Sequence, residues 1–160
     1  MNFSLGALRI RNFKKKDINQ NYISWLNNKK LFNFSRHKKV KYNYQKSLQY
    51  FNNLKKAQGL FFLIIFNEKK VGTLTIKFKK NQSIGNIGIL IGDKSMQNKG
   101  LATKSITLIT NKLNIEKKNF FFEIGTLHKN LKMITVAKKC KFKLYKKNSR
   151  YVYFKKKKKK

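Results

Sequence analysis

The chemistry most legible in this chain lies between residues 87 and 103, which read IGILIGDKSMQNKGLAT. An apolar run, 87–91, has the character of a strand, and a short polar loop follows it. From Gly100 onward Ala102, Ile106, Ile109 and Leu113 recur at the spacing of one helix face. The first backbone N–H groups of a helix have no partner and sit at the positive end of its dipole, so a phosphate or pyrophosphate binds there. Gly100 lets such a group approach the backbone, Ala102 keeps the first turn open, and Lys99 adds charge. The Gly-Lys-Ser/Thr ending of the Walker loop and the three spaced glycines of the dinucleotide fingerprint are both absent.

Acid–base candidates are few, because the chain has only 5 Asp+Glu. Asp17 is placed to cap a helix, Glu68 sits in a turn and Glu116 in a surface loop. Glu123, in the middle of a predicted strand, is the best carboxylate for a base acting through water, against the plainer alternative of an outward side chain paired with lysine. His128 follows the same strand, and its imidazole is a side chain type suited to acid–base work. Arg36 and His37 lie in a basic segment, Ser35-Arg36-His37-Lys38, suited to an anionic group. Cys140 and Trp25 read as core residues rather than reactive ones.

The elements that must position these residues follow from periodicity. Residues 8–13 alternate like a half-buried strand, and Ile18, Tyr22, Trp25 and Leu26 share a helix face beginning at Asp17. Tyr44, Leu48, Phe51 and Leu54 mark a second helix that Gly59 closes. Residues 60–66 form a buried strand, 67–70 a hairpin turn, 71–78 its antiparallel partner and 84–91 a further strand. Gly85 and Gly88 inside that strand suggest a bulge or a close backbone approach. A helix at 100–113, a strand at 120–126, a helix at 130–140 and a closing strand pair at 142–145 and 150–154 complete the order β-α-α-β-β-β-α-β-α-β-β. The fold class is α/β (α+β): a central mixed, mostly antiparallel sheet flanked by helices. The domain is expected over residues 1–154, with 155–160 a disordered poly-lysine tail.

Composition bounds the rest. The 160 residues carry a net charge of +35, with 41% hydrophobic and 14% aromatic residues, which is too apolar for a charged disordered chain. The charge points first toward nucleic acid. Of the 40 Lys+Arg, however, only Arg9, Arg11, Arg36 and Arg150 are arginine, and Pro is absent. Lys, Asn, Ile, Phe and Tyr share A/T-rich codons, so genomic drift accounts for most of the charge, and a nucleic-acid partner is possible but not favoured. No apolar run reaches the length of a membrane span, no secretory leader is evident, and one cysteine excludes a disulfide framework. A cytoplasmic single-domain protein, monomer or homodimer, without a metal is expected.

Gln97-x-x-Gly100-x-Ala102 at a strand–helix junction resembles the motif by which GNAT-superfamily N-acetyltransferases hold the pyrophosphate of acetyl-coenzyme A. Leu8-Arg9-Ile10-Arg11, Trp25-Leu26-Asn27, Ile87-Gly88-Ile89 and Asn130-x-x-Met133-Ile134-x-x-Ala137 also fall where that family has them. The resemblance implies the GNAT acyl-CoA fold and direct attack of an acceptor amine on a thioester held between two splayed parallel strands, here 84–91 and 120–126. It implies a bulge near Ile89 or Leu90 offering an N–H to the developing oxyanion. The implied cofactor-binding residues are Ile89, Leu90, Ile91, Gln97, Asn98, Lys99, Gly100, Leu101, Ala102, Thr103 and Asn130, and Asn130 would bond the pantetheine arm or a water. Glu123, His128 and Asn130 are the implied catalytic set, with Arg36 and His37 toward the acceptor. Similarity is greatest to bacterial members acetylating amino sugars of surface-polysaccharide or nonulosonic-acid precursors, followed by the ribosomal-protein branch. A degenerate, nucleic-acid-binding GNAT-like module is the third alternative. Asn86 stands where relatives often have Glu, Ala137 where many have a proton-donating Tyr, and Lys141 where Gly is usual.

Overall fold

The computed structural model describes residues 1–31, 40–79, 83–116 and 119–158. Its core is one eight-stranded sheet with four α-helices. In chain order the elements are β1 (Asn2–Leu5), β2 (Leu8–Asn12), α1 (Gln20–Asn27), α2 (Tyr44–Lys56), β3 (Leu60–Phe66), β4 (Lys69–Phe78) and β5 (Ile84–Ile91). α3 (Leu101–Lys112), β6 (Phe121–Leu127), α4 (Leu131–Lys139), β7 (Lys143–Lys147) and β8 (Tyr151–Lys157) follow. The strands lie in the order β1-β2-β3-β4-β5-β6-β8-β7, and among them only β5 and β6 run parallel.

Local chemistry explains most of this order. β3 and β4 are joined across Asn67 and Glu68, both with positive φ, the conformation a two-residue hairpin requires. β3 reads as a continuous apolar run because both its faces are covered. Leu63 and Ile65 pack with Phe13, Tyr22 and Trp25 on the α1–α2 side, whereas Phe62 and Ile64 join the cluster that includes Ile106 and Ile109 of α3. α1 and α2 are capped by Asn19 and Asn43, whose side chains accept from the N–H groups of Tyr22 and Lys46.

Four sequence expectations change. Asp17 does not cap α1; it ends a short 3-10 turn and is buried, with a bidentate contact to Arg11 at 2.7 and 2.8 Å. The Lys70 ammonium at 3.0 Å and the Lys14 N–H at 2.9 Å complete its partners. One carboxylate therefore ties β2, the turn before α1 and β4. β1 was missing from the sequence reading because four residues leave little periodicity; it pairs with β2 around Gly6. The expected bulge in β5 is absent, since β4 and β5 keep one register from Gly72↔Ile91 to Phe78↔Gly85. Close approach explains Gly88 instead, because a Cβ there would stand 2.8 Å from the Thr75 hydroxyl. Finally, the presumed tail begins too early. Lys155, Lys156 and Lys157 belong to β8 and pair with Glu123, Phe122 and Phe121.

α4 ends on Lys141 in the left-handed region, φ 63°, where the Lys141 and Phe142 N–H groups bond back to the carbonyls of Lys138 and Ala137. A lysine there carries a strain of about 1 kcal/mol that glycine lacks. Lys141→Gly is expected to stabilise the fold by about 1 kcal/mol in urea titration.

Burial drives the Asp17 carboxyl up, but Arg11, the Lys14 N–H and Lys70 outweigh it and hold the group at about 2, against an ordinary 3.8. A lowered folded-state value stabilises the protein above the unfolded value and is lost as pH falls through the folded one; here the window is about pH 4 to 2 and the contribution about 2 kcal/mol. Asp17→Asn should cost about 3 kcal/mol at pH 7, with the gap to wild type closing as unfolding is measured toward pH 2.

Candidate functional site

β5 and β6 pair only at Ile84↔Phe121, Gly85↔Phe122 and Asn86↔Glu123, and beyond that point the parallel ladder stops. The strands continue, five residues further on β5 and four on β6, so they frame an opening with its apex at Asn86 and Glu123. Alternation within the ladders fixes which backbone groups face the opening. Ile84 and Gly92 bond toward β4, so the N–H and C=O groups of Ile89 and Ile91 project the other way. On β6 the His128 N–H and the Phe120 carbonyl bond toward β8, so the backbone of Gly125 and Leu127 faces β5. Both walls thus offer peptide groups to an extended, amide-bearing ligand: the N–H groups of Ile89, Ile91, Gly125 and Leu127 and the carbonyls of Ile89 and Gly125, the Ile91 and Leu127 carbonyls being taken by Gln97 and the Asn130 N–H.

At the wide end β5 passes into the loop expected to hold phosphate. Asp93 accepts from the Ser95 N–H and hydroxyl, which folds a short turn over Lys94–Met96. Gln97 donates to the Ile91 carbonyl at 3.2 Å and closes the loop onto the strand end. Asn98 and Gly100 take positive φ, and α3 starts on Gly100 with its first internal bond from Lys104. The N–H groups of Leu101, Ala102 and Thr103 are therefore left without a helical partner. A Cβ placed on Gly100 meets nothing within 4 Å, so the space above this helix start is open. Lys99 is exposed beside it, and the Lys132 ammonium reaches Asn98 at 3.3 Å.

The apex is organised by Glu123, whose side chain is almost wholly buried. Its carboxylate accepts from Lys79 and Asn86, each at 2.9 Å, and from the Tyr145 hydroxyl. Burial pushes this carboxyl up, yet Tyr145, Lys79 and Asn86 overcome it and leave the group below its ordinary value. Burial and the bond to Glu123 push the Tyr145 phenol up to about 12. A carboxylate offers about four acceptor positions, and three are filled here, leaving one on Oε1 beside Asn86.

The other candidates separate. Asn130 caps α4, accepting from the Met133 N–H at 3.2 Å and donating to Thr126 at 3.0 Å, which leaves one N–H of its amide unspent. His128 is exposed just past the end of β6, five residues from Glu123, a separation of ~17 Å along a strand. It is not brought to the apex. Arg36 and His37 lie outside the described residues. Cys140 is buried, with its thiol donating to the Thr103 carbonyl, and burial raises its pKa. Among the described residues no group of three or more His, Cys, Asp and Glu is arranged to hold a metal, and no helix is long and apolar enough to cross a membrane.

Comparison with known proteins bears directly on this geometry. The family model described as "Acetyltransferase (GNAT) domain" matches residues 7–143. The chain belongs to the GNAT acetyltransferase family. Its fold is the GNAT acyl-CoA fold, and it is an acetyl-CoA-dependent N-acetyltransferase. No curated protein sequence matches it. Among solved structures it is similar to a domain from Methanocaldococcus jannaschii DSM 2661, with TM-score 0.80, 21% identity, and coverage of 94% of this chain and 97% of that one. It is similar to RimL, a ribosomal L7/L12 alpha-N-protein acetyltransferase in complex with coenzyme A, with TM-score 0.80, 15% identity and 98% of both chains covered. The self-immunity acetyltransferase MccE, in complex with acetyl-CoA and AMP, gives TM-score 0.78 at 16% identity, covering 96% of this chain and 93% of that one.

The residues present fit the GNAT co-substrate. The open space over Gly100 and the three unpartnered N–H groups suit a pyrophosphate, and the facing peptide groups of β5 and β6 suit a pantetheine arm. On the α1–α2 side of the sheet this GNAT chain also has a cavity of about 230 Å³ lined by Tyr22, Tyr42, Tyr50, Phe61, Lys77 and Asn86, among others. The sequence reading missed these tyrosines, together with Tyr145 and Lys79. Tyr145 is 22 residues from Glu123 and reaches it through a register shift in β7 between Leu144 and Lys146, which no local pattern signals.

Gly100→Glu puts a carboxylate where the pyrophosphate is expected. Acetyl-CoA affinity should fall at least ~100-fold by calorimetry, while thermal unfolding registers no more than the ~1 kcal/mol strain of a side chain at positive φ.

Proposed function

We propose that this GNAT protein acetylates the primary amine of a small amino sugar carried on a nucleotide. The parting of β5 and β6 beyond Asn86 and Glu123, above an intact phosphate-binding loop, is the observation that carries acetyl transfer. The acceptor side of that apex opens into the tyrosine-lined cavity, where Thr73, Thr75 and the phenols offer hydroxyls suited to a sugar. Likeness to RimL favours a protein N-terminus as acceptor, but at 15% identity it speaks for the fold alone.

The thioester supplies an activated acyl group and a thiol leaving group acidic enough to depart near neutral pH without a dedicated acid. The chain supplies position and polarity. Leu101, Ala102 and Thr103 present N–H groups to the pyrophosphate, with Lys99 adding charge. Ile89 and Ile91 offer backbone N–H groups from the wall of the opening to a carbonyl oxygen. Asn86, having donated to Glu123, turns its own oxygen toward an incoming amine. Glu123 takes an N–H of that amine, or of a water bonded to it, on its remaining lone pair. Held ionised, it passes the proton outward and does not store it.

Calorimetry should show one acetyl-CoA site per chain, and no binding at millimolar ligand would overturn the assignment. Because Glu123 stays ionised through the neutral range, kcat/KM should climb with unit slope up to the pKa of the acceptor amine, with no second inflection between pH 5 and 8. Glu123→Gln should lower kcat about 100-fold and leave acetyl-CoA affinity intact; an unaltered kcat would make Glu123 purely structural.

A further inference from the structure

The acceptor cavity is lined by groups that donate hydrogen bonds or stack, and by no carboxylate. Tyr22 and Tyr42 are kept protonated, first by burial and then by the neighbouring Tyr50 phenol. Tyr42 is pinned at the rim by Asn27, at the end of α1. The Asn27 amide donates to the Tyr42 carbonyl at 2.8 Å and accepts from its N–H at 2.7 Å. Phe61 lies edge-on to Tyr22 and Tyr50, with ring centroids 6.3 and 5.9 Å apart. The Lys77 ammonium sits 5.0 Å above the Tyr50 ring, and both residues line the cavity.

The full set of acids leaves none here for a positive charge beyond the reacting amine. Asp17 is enclosed by Arg11 and Lys70, Glu68 is paired with Arg9, and Asp93 caps the turn before α3. Glu116 is exposed in the segment after α3, and Glu123, at the apex, is already paired with Lys79. The chain as a whole carries a net charge of +35. A ligand with several positive charges meets repulsion and no counter-charge. An anion meets Lys77 and phenol donors, and a flat ring meets Tyr50 and Phe61.

We infer that the acceptor is an amine that itself bears an anionic group, phosphate or carboxylate, beside a planar ring, and that polycationic amines are rejected. This rests on the acetyl-transfer function proposed above. In the reaction the amide C–N bond forms and the thioester C–S bond breaks; the amine gives a proton to solvent, and coenzyme A departs as the thiolate, which takes a proton back from solvent. Lys77 and the tyrosines hold the anionic end while Asn86 and Glu123 receive the amine.

The test measures coenzyme A release from the intact protein saturated with acetyl-CoA. The acceptors are a nucleoside-diphosphate-linked amino sugar, the same amino sugar free, phenylalanine and spermidine. The nucleotide-linked or the carboxylate-bearing amine should exceed the free sugar in kcat/KM by about thirtyfold, as one charge-assisted contact allows, and whichever leads identifies the anion. Spermidine should give no turnover. Lys77→Gln should raise KM for the preferred anionic amine about tenfold at little cost in kcat, and Lys77→Arg should restore it. Spermidine turnover equal to that of the anionic amines, or discrimination undiminished in Lys77→Gln, overturns the inference. Failure of acetyl transfer itself shows separately, as loss of acetyl-CoA binding in calorimetry.

Discussion

Where β5 and β6 cease to pair, two parallel strands that share a sheet stop sharing hydrogen bonds, and each then faces its neighbour with unsatisfied peptide groups. Such an opening is costly unless something holds the strands together at its closed end and something else keeps them apart. The buried Glu123 carboxylate does the first, gathering donors from the end of β4 (Lys79 lies one residue beyond it), from β5 and from β7. The second follows from topology. β5 is locked to β4 over seven residue pairs, and β6 to β8 over seven, so neither can swing toward the other. The proposed reactive end and the proposed phosphate end are thereby set at opposite ends of one strand, β5.

Much of this was legible in the chain itself. Strands 60–66, 71–78 and 84–91 announce themselves by β-branched and aromatic content around a two-residue turn, and α3 by its apolar spacing after Gly100. Because the loop proposed to hold phosphate depends on backbone geometry and on a glycine, its sequence trace is direct. The apex left no such trace. Lys79, Glu123 and Tyr145 are 22 to 66 positions apart and meet only because β6 lies between β5 and β8. Asp17 misled for a related reason. Its spacing suits a cap, but its partners Arg11 and Lys70 come from two strands, and a buried carboxylate goes where its cations are.

The charge divides between background and use. Lysines on the outer strands cover an edge, as charged residues do where a sheet ends. Lys79 and Lys77 are different in kind, because one neutralises the carboxylate at the apex and the other lines the cavity proposed for the acceptor. A chain this poor in acids has had each of them committed to a fixed place, except the exposed Glu116. The selectivity proposed among amines then rests as much on which charges are missing as on which are present.

The lysines that finish β8 show what drift can and cannot alter. A homopolymer strand carries no register of its own, since a slip of one or two residues would set the same side chain opposite Glu123 and Phe121. Register comes from upstream, where Phe154 is buried opposite Ile124 and Tyr153 lies over Gly125. With the ladder anchored at Phe154, the lysines that follow supply charge and extended backbone to β8 but do not choose its register.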